Sequence, residues 1–278
     1  TVNEAETVKV GKKMQLSASV TLKGTEIANQ DMTWTVSGNK STSTTIDANG
    51  LLTVGADEPF ETILTIYAES QEMAGLRMYK TITVKPLDFE DIPSVTAGST
   101  TTVTIDGVEW YVLVKDNGKA LLWAKEIIGT QQFDTSSNIW RDSSLRTYLN
   151  GDWLESTTVL KEKAVETDIT TRSQINATDW ITTQDKVFLL SEADLFGTFD
   201  GTATSDARDY TYGTSQLVTD VNMRKCDTTI DPEYWLRSPR GSQYSVAYCY
   251  ASTGDISNVG AARSWHGVRP ALWVNLAG

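Results

Sequence analysis

The first 86 residues are built from short segments in which apolar and polar residues alternate, separated by turns that contain glycine. Met14, Leu16, Ala18 and Val20 form one such segment. A period of two puts successive side chains on opposite faces of a β-strand, so this pattern predicts half-buried strands and an all-β sandwich. The predicted strands are Thr7–Val10, Met14–Val20, Met32–Val36, Thr44–Asp47, Leu51–Val54, Ile63–Ala68 and Thr81–Val84.

Two local features sharpen this prediction. Asn49-Gly50 stands between Ile46 and Leu51, and both turn residues tolerate a positive φ, which is typical of a tight hairpin. Trp34 alternates with Met32 and Val36, so we expect its side chain in the core between two sheets.

The segment Ile-Asp-Ala-Asn-Gly-Leu-Leu-Thr-Val at 46–54 is the most specific motif of this half. Together with Val8–Lys12, Thr33–Val36 and Thr81–Val84, it resembles the bacterial immunoglobulin-like domains of group 2. The resemblance implies an N-terminal immunoglobulin-like sandwich that serves as a spacer or adhesive module on exported surface proteins, without catalysis.

A length of 278 residues favours two domains. The acidic segment 87–91 and Pro93 interrupt the strand pattern, and a new pattern begins at Thr102. We therefore predict domains at 1–88 and 89–278.

The second half mixes strand patterns with short helical ones. A helix capped by Asp142 or Ser143 should run through Leu149 and end at Asn150-Gly151, and Ser191 should cap a helical turn at Glu192–Phe196. The other predicted elements are a short helix at Val159–Glu166 and strands at Thr102–Ile105, Glu109–Lys115, Ala120–Glu126, Asp185–Leu190, Tyr234–Arg237, Val246–Ala251, Asp255–Asn258 and Val268–Val274.

Charge and histidine content exclude several functions. A net charge of −12 argues against nucleic-acid binding, which needs a basic surface, and against docking on anionic lipid. No apolar run approaches 18 residues, so we expect no membrane insertion. The single histidine, His266, rules out metal sites that need two imidazoles, and it is the only candidate base for a Ser-His-Asp triad.

Two apolar motifs, Tyr234–Pro239 and Gly267–Val274, bracket a segment of different chemistry. The segment is rich in Tyr and Ser and also contains one Asn, two Arg, one Trp and one His residue, a composition typical of adaptable binding surfaces, although an ordinary solvated loop is the alternative. The predicted ligand-binding residues are Arg240, Gln243, Tyr244, Ser245, Tyr248, Tyr250, Ser257, Asn258, Ser264, Trp265 and His266.

These two motifs, with Ile139–Asn150 and Thr183–Ser191 upstream, resemble an uncharacterised domain of gut Gram-positive bacteria related to C-type-lectin-like and formylglycine-generating-enzyme folds. The resemblance implies an α+β C-type-lectin-like domain. Some such proteins are diversified by retroelements that vary asparagine codons, which would make 240–266 a variable surface. A tryptophan codon is not reached in this way, so Trp265 either belongs to the invariant scaffold or contradicts the idea at that position. Calcium-dependent sugar binding is not implied, because Ser238-Pro239-Arg240 has no carboxylate beside its proline.

The arginines and cysteines near these motifs can be explained by structural roles. Arg237 and Arg269 stand among apolar residues, so we expect buried arginines paired with acids such as Asp185 or Asp142. In a surface protein Cys226 and Cys249 would form a disulfide, or remain idle thiols. Kinship with formylglycine-generating enzymes suggests a copper-binding pair instead, but the motifs around those cysteines are absent.

We therefore predict a non-enzymatic protein that needs no cofactor and no metal, displayed outside the cell on a bacterial surface or a phage particle. Its C-terminal face would bind a protein or glycan on another cell or molecule. The alternatives are a copper-dependent oxidase that uses Cys226 and Cys249, and an inert stalk protein.

Overall fold

β-strands form most of the regular structure in the computed structural model, which describes residues 7–27, 29–173, 179–203, 207–261 and 265–276. Strands hold 41% of the described residues and helices 13%. The chain divides into two compact units, Thr1–Leu87 and Asp88–Gly278, and the division falls in the acidic segment 87–91.

The first unit contains two sheets of three or four strands and a two-stranded hairpin, β3-β4, among its described residues. One sheet has the strand order β1-β9-β8-β5, with β1 parallel to β9, and the other has the order β2-β7-β6. Their strands bury alternate apolar side chains, so Leu52, Leu64, Ile66 and Ile82 have no exposed surface. The strands are β1 (Thr7–Lys9), β2 (Lys13–Gln15), β3 (Thr21–Leu22), β4 (Thr25–Glu26), β5 (Met32–Ser37), β6 (Thr45–Ile46), β7 (Leu51–Thr53), β8 (Ile63–Ser70) and β9 (Arg77–Lys85).

The predicted hairpin at Asn49-Gly50 is confirmed between β6 and β7. Gly50 has a φ of +77°, and a Cβ there would lie 2.7 Å from the Leu16 carbonyl oxygen, so both the turn and the packing require glycine. Two details of the prediction are wrong. The strand that begins at Met14 is cut short at Gln15, and Trp34 is half-buried rather than fully enclosed in the core.

The second unit contains two larger sheets and two small hairpins. The first sheet has the order β10-β11-β12-β24-β14, with β17 also paired to β24, and the second has the order β13-β23-β20-β21-β22. The strands are β10 (Thr102–Ile105), β11 (Val108–Asp116), β12 (Lys119–Ala124), β13 (Thr130–Gln132), β14 (Ala164–Val165), β15 (Thr167–Arg172), β16 (Trp180–Asp185), β17 (Phe188–Leu189), β18 (Thr198–Phe199), β19 (Thr202–Ala203), β20 (Glu233–Pro239), β21 (Ser245–Tyr250), β22 (Ile256–Gly260), β23 (Trp265–Gly267) and β24 (Pro270–Asn275).

The α-helices of the second unit are four or five residues long in the described ranges. Three short 3-10 turns, Phe89–Asp91, Trp140–Asp142 and Ala207–Asp209, and one π-helical turn, Leu149–Trp153, accompany them. The helices are α1 (Ser144–Tyr148), α2 (Leu160–Lys163), α3 (Glu192–Phe196) and α4 (Val221–Arg224).

The prediction of an α+β C-type-lectin-like domain is therefore wrong, because the second unit is predominantly β. The local helix signals are real but give short helical segments. Ser143 caps α1 through its side-chain oxygen, and the non-helical backbone of Gly151 kinks the helical path inside Leu149–Trp153. Ser191 caps α3, and Gly197 ends it with a φ of +69°. The short helix predicted at Val159–Glu166 covers Leu160–Lys163 only, because Ala164 already joins β24.

Buried tryptophans and arginines form the core of the second unit. Trp110, Trp123, Trp140 and Trp235 are at most 1% exposed. Arg269 is equally buried, and its guanidinium donates to the main-chain carbonyls of Ala124, Lys125, Met223 and Arg224.

The predicted structural role of both arginines is confirmed, but the predicted acidic partners are wrong. Arg237 pairs with Asp194 at 3.0 Å. Asp185 binds Arg146 and the indole of Trp140 instead, and Asp142 pairs with its neighbour Arg141.

Candidate functional site

An open pocket of about 410 Å³ lies beside the turn that connects β20 to β21. One side comes from the loop after β13 and the other from the β20–β21 turn and the end of β22. We call it the Tyr244 pocket, because Tyr244 is its largest side chain and is 67% exposed. Its lining residues are Thr135, Ser136, Ser242, Tyr244, Ser245, Gly260 and Ala261.

The β20–β21 turn is held closed by its own main chain. The Arg240 N–H donates to the Ser245 carbonyl at 3.1 Å, and the Ser245 N–H donates to the Ser242 carbonyl at 3.2 Å. The Ala261 N–H then donates to the Tyr244 carbonyl at 3.0 Å, which fastens the end of β22 to the same turn. Tyr244 is therefore an exposed ring on an ordered turn, a geometry that suits recognition.

Asp134 organises the opposite wall. Its carboxylate accepts N–H bonds from Ser136 at 2.8 Å, Ser137 at 2.9 Å and Ser144 at 2.9 Å. Burial raises the pKa of Asp134, but these backbone hydrogen bonds outweigh it, so the pKa lies below its ordinary value. The negative charge of Asp134 is thus stabilised by N–H groups of its own loop.

Asn138 connects the two walls. Its side-chain amide donates to the Ser245 carbonyl at 3.2 Å and to the Ser242 carbonyl at 3.5 Å, and the residue is buried. Asn138 thus sets the separation between the loop after β13 and the β20–β21 turn.

Arg240, a predicted contact residue, is bound inside the protein. Its guanidinium pairs with the buried carboxylate of Glu192 at the start of α3 and lies 3.9 Å from Asp200. Burial raises the pKa of Glu192 to about 7, although backbone N–H bonds from Asp200 and Gly201 and the charge of Arg240 oppose the rise. Arg240 therefore anchors the β20–β21 turn, and little of its charge is available to a ligand.

Trp265 is the second large exposed aromatic side chain of the tail, 60% exposed. It follows Ala261 by four residues, so their Cα atoms are at most about 14 Å apart. It also pairs with Gln132, three residues before Thr135, which lines the pocket. Both connections limit the distance of this exposed ring from the Tyr244 pocket.

The eleven predicted ligand-binding residues differ in how much of each side chain is exposed. Gln243, Tyr244, Asn258 and Trp265 are exposed, and Ser264 lies outside the described residues. Arg240, Ser245, Tyr250 and Ser257 are half-buried, whereas Tyr248 and His266 are buried.

The surface roles predicted for Tyr248 and His266 are wrong. Both are only 7% exposed, because they lie on the inner face of the five-stranded sheet with Trp235. The His266 ring centroid is 4.4 Å from that of Trp235 and 5.1 Å from that of Tyr248. Tyr250 continues this cluster and shares a hydroxyl hydrogen bond with Tyr248.

The imidazole of His266 faces two carboxylates. Its Nδ1 is 3.1 Å from Glu233 and 3.7 Å from Asp231, while Nε2 is buried without a hydrogen-bond partner among the described residues. Burial lowers the pKa of His266 below its ordinary value, although both carboxylates oppose this. His266 is therefore a neutral core residue at pH 7.

Cys226 and Cys249 are both free thiols, so the predicted disulfide is absent from this structure. Cys249 lies inside β21, where burial raises its pKa to about 11, and burial also raises the pKa of Cys226. Raised thiol pKa values work against the thiolate form that metal ligation uses. Within the described ranges, no group of three or more His, Cys, Asp or Glu side chains has the geometry to hold a metal ion.

Sequence reasoning missed the three residues that organise the pocket: Asp134, Asn138 and Glu192. For Asp134 a local signal exists, since an aspartate two and three residues before serines is typical of a loop cap. Asn138 and Glu192 act on partners 107 and 48 positions away, which no local pattern indicates.

No described helix is both long enough and apolar enough to cross a lipid bilayer. The search of curated proteins found no match to the chain. Residues 117–276, more than half of the chain and the part that contains the Tyr244 pocket, match the family described as "Domain of unknown function (DUF6273)", and the chain therefore belongs to that family.

Proposed function

We propose that this protein binds a macromolecular ligand, without catalysis, through the surface made by the Tyr244 pocket and Trp265. One observation carries the proposal: Tyr244, 67% exposed, lines an open pocket whose walls are anchored from within, and Trp265, 60% exposed, follows the pocket residue Ala261 by four positions. Exposed aromatic rings have a large area to bury on contact, and rigid aromatic side chains lose little entropy when bound.

The anchoring supports recognition for a physical reason. Asn138, Asp134 and the pair of Arg240 with Glu192 fix the pocket walls before any ligand arrives. A preorganised surface loses less conformational entropy on binding, so more of the contact energy becomes affinity.

Arrays of extracellular proteins and of glycans, probed with the full chain, test this proposal. We expect at least one ligand whose binding falls tenfold or more in Tyr244→Ala or in Trp265→Ala. Tyr79→Ala is the matched control, because Tyr79 is 68% exposed in the first unit. All three variants should unfold within about 1 kcal/mol of the parent chain, as exposed substitutions do.

If ligands are found but both tail variants bind them like the parent, the proposed surface is wrong. If no ligand is found in either array, the proposal of a binding function fails.

A further inference from the structure

The chemistry of the Tyr244 pocket points to a ligand class, on the assumption that the pocket binds a ligand as proposed above. Five of its seven lining residues carry a hydroxyl group: Thr135, Ser136, Ser242, Tyr244 and Ser245. A hydroxyl can donate one hydrogen bond and accept two, and it rotates to suit its partner. Such a lining matches a ligand whose own groups both donate and accept.

Several of these hydroxyls keep bonding capacity in the structure. The Oγ atoms of Ser242 and Ser245 lie 2.8 Å apart and share one hydrogen bond, and the Ser242 Oγ also accepts the Tyr244 N–H at 3.2 Å. One of the two hydroxyls therefore still has a proton to donate, and the Ser245 Oγ can still accept. The Oγ of Ser136 lies 3.3 Å from Asp134 and retains its acceptor positions.

Two charged groups beside the pocket, Asp134 and Arg240, are already paired. The Asp134 carboxylate receives three backbone N–H bonds, and Arg240 is paired with the buried Glu192. A charged ligand would have to compete with these internal partners, whereas a neutral polar ligand would not.

The Tyr244 ring supplies an apolar face next to the hydroxyls. A pyranose ring has the complementary character, with a face of C–H groups and an edge of hydroxyls. The volume of about 410 Å³ lies within the range of small-ligand pockets, about 300–1,000 Å³. We infer that the Tyr244 pocket binds a neutral sugar unit of a glycan, with the sugar's C–H face on Tyr244 and its hydroxyls on the Ser and Thr side chains.

The test uses the full chain on a glycan array that contains neutral hexose and N-acetylhexosamine oligosaccharides together with sialylated and sulfated ones. We expect binding to neutral members, followed by calorimetric titration with the matching methyl glycosides. Tyr244→Ala should weaken the affinity at least tenfold. Tyr244→Phe, which keeps the ring, should weaken it less than threefold, and Tyr79→Ala should leave it unchanged.

The outcomes separate this inference from the proposed function. Binding restricted to charged glycans, or a protein ligand that depends on Tyr244 without any glycan binding, overturns the inference and leaves the binding function in place. Equal affinity of Tyr244→Ala and Tyr244→Phe also overturns it, because stacking on the ring would then contribute nothing. If no ligand on either array depends on Tyr244, both the inference and this site fail.

Discussion

The Asp194 carboxylate connects α3 to β20 and to the loop that contains Thr211. Its oxygens accept bonds from Arg237 at 3.0 Å, from the Ser191 N–H at 2.8 Å and from Thr211 at 2.7 Å and 2.6 Å. Arg237 is fully buried, so its charge depends on this partner.

Asp194→Asn should therefore lower the free energy of unfolding by roughly 3–5 kcal/mol, because a buried guanidinium would lose its counter-charge. Glu61→Gln is the matched control, since Glu61 forms an exposed pair with Lys85 at 2.8 Å. That control should barely move the midpoint of urea denaturation. A loss below 1 kcal/mol in Asp194→Asn would contradict the role given to this pair.

Glu192 and His266 make opposite contributions to the pH dependence of stability. The folded state raises the pKa of Glu192 from 4.5 to about 7, so its burial costs stability as the pH rises through that interval, by roughly 3 kcal/mol at most. The folded state lowers the pKa of His266, so that residue costs stability as the pH falls below 6.5.

Urea denaturation at a series of pH values from 4.5 to 8 separates the two effects. Relative to the parent, Glu192→Gln should gain stability as the pH rises, because the cost of ionising Glu192 is removed. His266→Gln should gain stability as the pH falls, because the cost of keeping the imidazole neutral is removed. Parallel curves for all three proteins would show that neither group titrates as described.

At the scale of elements, patterns among neighbouring residues predicted most strands. These patterns failed where contacts between residues far apart in the chain determine which side chains are buried. The Asn49-Gly50 hairpin and the caps at Ser143 and Ser191 depend on neighbours in the chain, and the structure confirms them. The burial of Tyr248 and His266 depends on which face of the five-stranded sheet is covered. Their polar character suggested a surface, and no local pattern specifies the covering layer.

Asn138 shows how one distant contact shapes the pocket. Asn138→Ala removes both bonds to the β20–β21 turn, so the amides of 240–245 should exchange hydrogen several-fold faster. Asn222→Ala, an exposed change in the first turn of α4, is the control. Hydrogen exchange followed by mass spectrometry measures both, and unchanged exchange at 240–245 would contradict the role of Asn138.

The hypothesis that a retroelement varies residues 240–266 stays a prediction, and the fold restricts it. Tyr248 and His266 are core residues, so variation there would disturb packing, whereas Gln243, Tyr244 and Asn258 are exposed. A template repeat beside a reverse-transcriptase gene should therefore differ from this chain at the exposed positions and match it at the buried ones. Differences concentrated at Tyr248 and His266 would contradict this.

At the scale of the whole molecule, the net charge of −12 and the local chemistry of the pocket predict different kinds of binding. A partner drawn by the overall negative field would be basic, and its affinity would fall steeply as salt screens the field. A ligand held by hydroxyls and the Tyr244 ring depends on short-range contacts, and the nearby charges of Arg240 and Asp134 are already paired internally.

We therefore expect the affinity of any ligand that requires Tyr244 to change less than threefold between 50 and 500 mM salt. Lysozyme-like basic proteins that adhere at 50 mM salt should be released at 500 mM, and Tyr244→Ala should not affect them. Calorimetric titration at the two salt concentrations, with parent and Tyr244→Ala chains, measures both effects. A ligand that requires Tyr244 and yet weakens tenfold or more with salt would show that the acidic surface, rather than the neutral pocket, dominates recognition.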